Sequence, residues 1–312
     1  MDQRGEQHIH RILVALDPSA HSRAALAAAA RMALRFDAEL KALFVEDANV
    51  RRLSELPFVQ EVGLYTRECR SVEVGELRRQ LRVQAGRVRR AFGVATQHVE
   101  RRCTFREIRG QAAREVLEAA SEADVVIVGK GAWSAVDSGR LAPDVRRILA
   151  EAPASTLVLS AEVDLAPPVR AVYDGTALGD KALLVAARLA EHGHLTVFVL
   201  ADNPDVAKRL QRRAQEEVRE RRLELSFQSL SETCIARLAY LVSHQGEGTL
   251  VLPAHEETMK DEALIGFLDA TDAPVLCASF AISSAALTER LISAASPAAL
   301  TAKPSPPSAR LT

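Results

Sequence analysis

The chain has 312 residues, which is too long for most single hydrophobic cores, so two domains are expected. Hydrophobic residues make up 48% and aromatic residues only 4%, which favours a helix-rich α/β protein over an all-β or disordered chain. The formal net charge of -1 excludes a global field that would attract nucleic acid or anionic lipid.

The cysteines and the N-terminal residues favour a cytoplasmic protein. The four cysteines are scattered and form no Cys-x-x-Cys pair, so neither disulfides nor a zinc site are expected. The first residues lack the apolar core of a secretory signal, and no apolar run approaches the roughly 20 residues of a membrane span. We therefore expect no metal, no membrane contact and no nucleic-acid partner.

Strand and helix patterns alternate through the first half of the chain. Buried strands are predicted at 10–16, 39–45, 102–108, 124–128 and 155–159, and helices at 22–36, 74–92, 111–120 and 143–150. Crossovers between parallel strands of one sheet are right-handed. The alternation therefore predicts a doubly wound parallel sheet with helices on both faces.

The second half repeats this order in less space. Strands are predicted at 169–173, 195–200, 223–228, 249–252 and 274–278, and helices at 178–191, 205–221, 234–244 and 264–270. In both halves the first strand ends in an aspartate, Asp17 and Asp174, before an Ala- and Leu-rich helix. An internal repeat of this kind indicates two copies of one α/β domain.

Domain boundaries follow from the repeat and from two changes in composition. We predict a first domain at 8–162 and a shorter second domain at 167–280, joined by a short segment that ends in two prolines. Residues 281–312 are rich in Ala, Ser, Thr and Pro and are predicted to form a disordered tail.

The last strand of each copy raises the question of what covers its edge. An exposed apolar edge at 155–159 or 274–278 would invite aggregation. Pairing of these two strands within one chain would cover both and create an internal pseudo-dimer. We expect that arrangement and leave a homodimer open, with other protein partners unknown.

Two motifs in the first copy resemble a known family. The run Ile-Leu-Val-Ala-Leu-Asp-Pro-Ser-Ala-His-Ser begins at Ile12, and Ala-Asp-Val-Val-Ile-Val-Gly ends at Gly129, before an arginine-containing helix and Ala-Pro. With the duplicated order, they make the chain similar to the universal stress protein family in its tandem two-domain form. The resemblance covers 9–160 well and 169–279 more weakly. It implies two tandem five-stranded parallel sheets of strand order 3-2-1-4-5.

The same resemblance implies candidate nucleotide-binding residues. In ATP-binding members, the loop after the fourth strand carries Gly-x-x-Gly and then, after a spacer, Gly followed by Ser or Thr. These glycines let backbone amides approach phosphates at a helix N-terminus. By this resemblance the candidates here are Asp17 and Val45 for adenine, and Gly129, Lys130 and Gly131 for phosphate.

The sequence of this chain differs from that loop motif at most of the motif's positions. Ala132 stands at the second glycine position, and Ala142 and Pro143 stand where the family has Gly and Ser or Thr. Proline has neither an N–H nor a hydroxyl, so two phosphate donors are lost together. Asp144 adds a negative charge there, and the second copy's loop at 253–260 has no glycine. We expect no bound cofactor, with ATP as the alternative.

No residue pattern in the chain predicts catalysis. Ser19 and Ser22 lack a histidine or acid at an activating spacing and are predicted to be helix caps, as is the turn after Asp174. The arginine-rich stretch 78–102 lacks interleaved aromatics and is predicted to be a surface helix. We predict a cytoplasmic stress-response protein that is not an enzyme and acts as an interaction and signalling module. The alternative is a stress sensor that binds ATP or AMP in the first crevice.

Overall fold

The computed structural model describes residues 9–47, 60–62, 69–71, 74–134, 139–160, 165, 167–190, 193–230, 238, 241–242, 248–254 and 262–279. The predicted tail at 281–312, most of the predicted helix at 234–244 and the loop at 255–261 lie outside these residues. The predicted domain boundaries stay predictions.

Twelve strands and seven helices are formed by the described residues. The strands are β1 (Arg11–Leu16), β2 (Glu39–Asp47), β3 (Gln60–Val62), β4 (Cys69–Ser71), β5 (Cys103–Gly110), β6 (Val125–Gly129), β7 (Ser155–Leu159), β8 (Val169–Tyr173), β9 (His194–Leu200), β10 (Glu224–Leu230), β11 (Thr249–Pro253) and β12 (Val275–Ala278). The helices are α1 (Ala20–Phe36), α2 (Val74–Ala95), α3 (Ala112–Ala120), α4 (Pro143–Glu151), α5 (Ala177–Ala190), α6 (Pro204–Glu217) and α7 (Glu262–Ala270).

Ten of the strands form one continuous sheet. Its order is β10-β9-β8-β11-β12-β7-β6-β1-β2-β5, and β3 and β4 form a separate antiparallel pair. Counted within each half, the order is the expected 3-2-1-4-5. The two five-stranded halves share a single sheet, as the expected pairing of their last strands requires.

The halves join through the edge strands β7 and β12. These strands pair antiparallel, with Val158 opposite Val275 and Thr156 opposite Cys277, while every other neighbouring pair in the large sheet is parallel. The predicted pairing of these two edges is confirmed. Each apolar strand thereby gains backbone hydrogen-bond partners that it would otherwise lack.

A hydrophobic layer covers each face of the sheet, and each layer runs across both halves. One layer packs α1, α2, α5 and α6 against the strands, and the other packs α3, α4 and α7. β6, β7 and β8 are buried at every position, as expected for parallel strands covered by helices on both faces. The predicted α/β fold with a mostly parallel sheet is confirmed.

The remaining differences from the sequence prediction are local. The short pair β3 and β4 lies in a stretch where no strand is predicted. α6 ends at Glu217, four residues before the predicted end, because Val218 leaves the helical conformation at φ -109. Residues 78–95 of the arginine-rich stretch lie in α2, and the arginines whose side chains are described there are exposed as predicted; they are Arg79, Arg82, Arg87, Arg89 and Arg90.

Candidate functional site

The strand order reverses between β1 and β6. β1 pairs with β2 on one side and with β6 on the other, so the strands that follow β1 in the chain lie on both sides of it. In open parallel sheets a ligand crevice forms at the carboxyl ends of the strands at such a point. We refer to this region, formed by the carboxyl end of β2 and the residues that follow β1 and β6, as the first crevice.

Asp17 follows β1 directly and is buried, with 5% of its surface exposed. Its Oδ1 accepts hydrogen bonds from the hydroxyls of Ser19 and Ser22, both at 2.5 Å, and from the Ser19 amide at 3.1 Å. Ser19 in turn is the N-cap of α1 and accepts from the Ser22 amide. Half of the carboxylate therefore stabilises the first turn of α1. Ser19 is the N-cap as predicted, whereas Ser22 lies within the first turn and its hydroxyl bonds to Asp17.

The other half of the carboxylate binds the chain's own loop. The Trp133 amide donates to Asp17 Oδ2 at 2.7 Å, and the Trp133 indole Nε1 donates to the Val45 carbonyl at 3.4 Å. Trp133 has φ +59, in the left-handed region that bulky residues rarely adopt. One residue of the chain thus contacts both positions that were predicted to meet adenine.

Gly129 and Gly131 lie against His21, the second residue of α1. A Cβ on Gly129 would lie 2.6 Å from the His21 Cβ, and one on Gly131 would lie 2.7 Å from the His21 Nε2. His21 is buried, with 6% exposed. The two glycines are therefore required by packing between α1 and the loop, whether or not a phosphate ever approaches them.

Lys130 is directed into the contact between the two halves. Its side chain is buried, with 3% of the residue exposed, and its Nζ donates to the carbonyls of Asp269 at 3.0 Å and Thr271 at 2.8 Å. These carbonyls belong to the C-terminal end of α7, where a cation is favourable. The ammonium group is thus engaged by the second half of the chain.

The backbone amides of the loop already have partners within the chain. Lys130 N donates to Leu159 O at 2.7 Å, Ala132 N to Gly129 O at 3.1 Å, and Ser134 N to Gly131 O at 3.2 Å. Trp133 N donates to Asp17, and Ala142 N donates to Lys130 O at 2.9 Å. Donors that a phosphate would need are therefore committed to the fold.

The residues at the start of α4 also serve the protein's own structure. Pro143 occupies the first turn, and the N-cap Ala142 makes no side-chain cap bond. The Asp144 Oδ1 accepts from the Ala113 amide at 3.3 Å, at the N-terminus of α3, whose own N-cap Gln111 makes no side-chain bond. The predicted helix start is confirmed, and the Asp144 carboxylate serves the neighbouring helix.

Asp269 completes the contact between this region and α7. Its Oδ1 accepts from the Leu141 amide at 2.8 Å, and its Oδ2 accepts from the Arg146 guanidinium at 2.6 Å. The side chain of Asp269 is 19% exposed and that of Arg146 43% exposed. With Lys130, these contacts tie both sides of the first-crevice loop to the second half.

The second copy keeps the aspartate but uses it for its own turn. The Asp174 Oδ1 accepts from the Thr176 amide at 2.9 Å and from its hydroxyl at 2.7 Å, and the Thr176 hydroxyl accepts from the Gly179 amide. A Cβ on Gly179 would lie 2.2 Å from the Asp174 Oδ1. The predicted capping role is confirmed, and the loop that would complete this second crevice lies outside the described residues.

The described residues offer no arrangement suited to catalysis or to a metal ion. No group of three or more His, Cys, Asp or Glu side chains among them could hold a metal. Burial raises the pKa of the Cys277 thiol to about 12, so this cysteine is not an activated nucleophile.

A shallow pocket lined by His10, Arg11, Asp37, Glu39 and Arg101 lies at the opposite, amino-terminal edge of the sheet. None of the helices in these ranges is long and apolar enough to cross a membrane.

Sequence reasoning identified the position of Asp17 and Val45 but missed Trp133 and His21. Trp133 is the only tryptophan of the chain and stands two residues after Gly131. A large aromatic side chain so close to the glycines of a supposed phosphate loop is a signal that could have been used.

Comparison with known proteins gives one family and one fold. Residues 8–160 match the universal stress protein family. A universal stress protein from Archaeoglobus fulgidus DSM 4304 is 14% identical with a TM-score of 0.63, over 86% of this chain and 96% of that one. This likeness extends over most of both halves and shows a shared fold.

Two further solved structures align less closely. A functionally unknown protein from Pseudomonas aeruginosa is 16% identical with a TM-score of 0.48, over 92% of this chain and 98% of that one. The universal stress protein UspA from Lactobacillus plantarum is 17% identical with a TM-score of 0.38, over 50% of this chain and all, 100%, of that one. No curated protein is significantly similar to the chain in sequence.

Proposed function

The chain belongs to the universal stress protein family through residues 8–160, and from this premise we propose that it serves a stress response by binding rather than by turnover. In this proposal the protein is a cytoplasmic interaction and signalling module, and its first crevice does not take ATP. Its two halves act together as an internal pseudo-dimer held by the pairing of β7 with β12.

The main support for the proposal is that the groups that would bind phosphate already form hydrogen bonds within the protein. An anion site at a helix N-terminus needs unpaired backbone amides and, in many cases, a lysine. Here Lys130 is bound to two carbonyls of the second half. The amides of Lys130, Ala132, Trp133, Ser134 and Ala142 donate within the chain. A triphosphate would have to break several of these bonds before gaining its own.

The absence of a catalytic pair in the described residues also supports binding over turnover. Ser19 and Ser22 donate to Asp17 within the first turn of α1 and are buried or partly buried there. An acid that anchors two hydroxyls and an amide is not poised to remove a proton from a substrate.

A nucleotide-binding stress sensor is the second candidate, and it is favoured by one observation. Asp17 and Val45 lie at the point of strand reversal and both accept hydrogen bonds from Trp133, so a ring that took over these contacts would not need the phosphate donors. A ligand with few or no phosphates fits this alternative better than ATP does.

Equilibrium binding separates these candidates. The full chain is titrated by isothermal calorimetry with ATP, ADP, AMP and cyclic AMP, each with and without Mg²⁺, and phosphate release from ATP is followed in parallel. We expect no ATP binding at micromolar concentrations and no phosphate release. Micromolar ATP affinity would replace the proposal with the sensor, and ATP hydrolysis above the buffer rate would make the protein an enzyme.

A further inference from the structure

We propose that the outer edge of β5, with the arginines beside it, binds an extended acidic segment of another protein, which pairs with β5 as a further strand of the sheet. The inference rests on the proposed function, an interaction module, and deepens it by naming the surface and the chemistry of the partner. We refer to β5 together with Arg82, Arg89 and Arg102 as the basic edge.

β5 lies at one end of the large sheet and has an open side. It pairs with β2 from Cys103 to Gly110, and among the described residues no strand pairs with its other side. Leu40 N donates to Arg102 O at 3.1 Å, so alternate residues from Arg102 onward turn their backbone groups toward β2. The residues between them turn their N–H and C=O groups to the open side; they are Cys103, Phe105, Glu107 and Arg109.

β5 lacks the structural features that commonly protect an open edge. Edge strands are often very short, bulged or interrupted by proline. β5 spans eight residues, against a mean of about 5–6, and has neither a proline nor a bulge in its register with β2. Its positive charge repels a second copy of the same edge and attracts an acidic strand. An acidic segment therefore fits this edge better than a second copy does.

Exposed arginines give the basic edge its charge. Residues 79–110 contain nine arginines and two glutamates but no lysine or aspartate, a net charge of +7 in a chain of net charge -1. The other residues together therefore carry a net charge of -8. All nine arginines are exposed. This local excess attracts carboxylates at short range, although the whole protein has almost no net charge.

The packing of α2 places two arginines beside β5. The ring of Phe92 lies 5.6 Å from that of Phe105, and the Arg89 guanidinium lies 5.1 Å from the centre of the Phe105 ring. Arg82 precedes Arg89 by about two helical turns and so lies on the same side of α2. Both arginines therefore border the strand with which the partner pairs.

Ion pairs within this surface leave donors for a partner. Arg89 lies 3.6 Å from Glu107, and Arg109 lies 3.0 Å from Glu46, yet the two arginine side chains stay 62% and 60% exposed. A guanidinium has five N–H donors, and one carboxylate uses only some of them. Each of these arginines can therefore bind a second carboxylate.

A peptide strand fits this surface better than a nucleic acid does. The open edge presents alternating N–H and C=O groups, which a peptide backbone complements. Phe92 and Phe105 pack against the protein's own hydrophobic layer, so neither ring is available to stack on a base.

The first experiment measures binding of an acidic peptide to the full chain by fluorescence anisotropy. The probe is a labelled, amidated peptide of four Glu-Thr repeats, and a peptide of four Lys-Thr repeats is the control. We expect the Glu-Thr peptide to bind and its affinity to fall at least fivefold as salt is raised from low to physiological concentration. No binding at low salt, or equal binding of the two peptides, would overturn the proposal.

A matched pair of variants tests strand pairing. Glu107→Gln and Glu107→Pro remove the same negative charge, but only proline removes an N–H that points to the open side, while the bonds to β2 remain. We expect Glu107→Gln to bind the Glu-Thr peptide at least as tightly as the unaltered protein, and Glu107→Pro at least tenfold more weakly. Equal affinity of the two variants would show attraction without pairing and would refute the proposal.

A modified peptide makes the same test if Glu107→Pro fails to fold. N-methylation of two adjacent central residues removes one donor from each edge of the peptide and leaves its charge unchanged. It should weaken binding to the unaltered protein at least tenfold, and unchanged affinity would contradict strand pairing.

Charge reversal tests the position of the site. Arg106→Glu on β5 should weaken binding of the Glu-Thr peptide at least tenfold. Arg212→Glu, at an exposed position of α6 in the second half, makes the same change of charge and should alter affinity less than twofold. Equal losses in the two variants would show that the peptide responds only to net charge.

Hydrogen exchange followed by NMR locates the bound segment. In the protein alone the amides of Cys103, Phe105 and Glu107 should exchange fast, and the Glu-Thr peptide should slow them but not those of β10, the strand at the other end of the sheet. Slow exchange without peptide would show that the edge is already covered and would refute the proposal.

A competitor tests the other class of partner. If an oligouridylate of eight nucleotides displaced the labelled peptide at lower concentration than unlabelled peptide does, the surface would belong to nucleic acid and the proposal would be wrong. Micromolar ATP binding would replace the proposed function without changing any of these outcomes, so the two proposals can fail separately.

Discussion

Replacing Lys130 by methionine should destabilise the protein strongly, because the ammonium group holds the two halves together. Methionine preserves most of the apolar stem but removes the bonds from Nζ to the Asp269 and Thr271 carbonyls, at 3.0 and 2.8 Å. Each hydrogen bond to a charged group contributes about 1.5–3 kcal/mol. Burying the ammonium costs part of this gain. We therefore expect a loss of about 2–4 kcal/mol in the free energy of unfolding.

The assay is urea unfolding of the full chain, followed by circular dichroism, with Lys41→Met as the matched control. Lys41 pairs with Glu122 at 2.7 Å, but the two side chains are 38% and 66% exposed. Water and salt screen such a pair, so its loss should change the unfolding midpoint little. Hydrogen exchange should also speed up in α7 of the Lys130 variant and not in that of the control.

Two results would refute the reasoning about Lys130. If Lys130→Met were as stable as Lys41→Met, the buried ammonium would not contribute to the contact between the halves. If the unaltered protein bound ATP and the Lys130 variant did not, without a difference in stability, the lysine would serve a ligand instead.

Further predictions concern ionisation, reactivity and the join between the halves. Burial, and then the hydrogen bond to Asp180, raise the pKa of Tyr173 above its ordinary 10.0. The stabilisation linked to the protonated Tyr173 hydroxyl is complete below pH 10 and is lost as the pH rises toward the pKa of the folded state. Urea midpoints should therefore fall above pH 10, and they should fall less in Tyr173→Phe. Cys277, with its pKa raised to about 12, should react with a thiol reagent at pH 8 only after unfolding, and early modification in the native protein, located by mass spectrometry, would contradict its burial. Amides of β7 and β12 should exchange among the slowest in the protein, whereas fast exchange of both strands would argue against their pairing in solution.

The sequence was sufficient to predict most of the sheet because its signals are local. The predicted ranges for β7 and β8 agree with the structure at both ends, since each is a short run rich in apolar and β-branched residues. The right-handed crossover rule predicted a doubly wound sheet, and the order within each half was expected from the family resemblance. The separate pair β3 and β4 was missed, because three-residue strands carry too few positions for a periodic pattern.

The site was only partly predictable, because its decisive contacts join residues far apart in the chain. Asp17 could be located from its place at the end of a buried strand. Lys130, in contrast, was assigned to phosphate by its neighbours in sequence, while its partners lie 139 and 141 positions away. No local pattern shows which way such a side chain will turn, and the same holds for the indole of Trp133 and its contact with Val45.

The single sheet formed by the two halves changes what a mutation can do. Ala254 occupies in the second half the place that Lys130 has in the first, since its amide donates to Ala278 O as Lys130 N donates to Leu159 O. In an assembly of two identical subunits, every substitution would appear twice across the join. Covalent fusion fixes the pairing at one to one and lets each copy diverge alone. One half can then specialise in recognising a ligand while the other becomes a permanent structural partner, a division of labour that a symmetric dimer cannot acquire by point mutation.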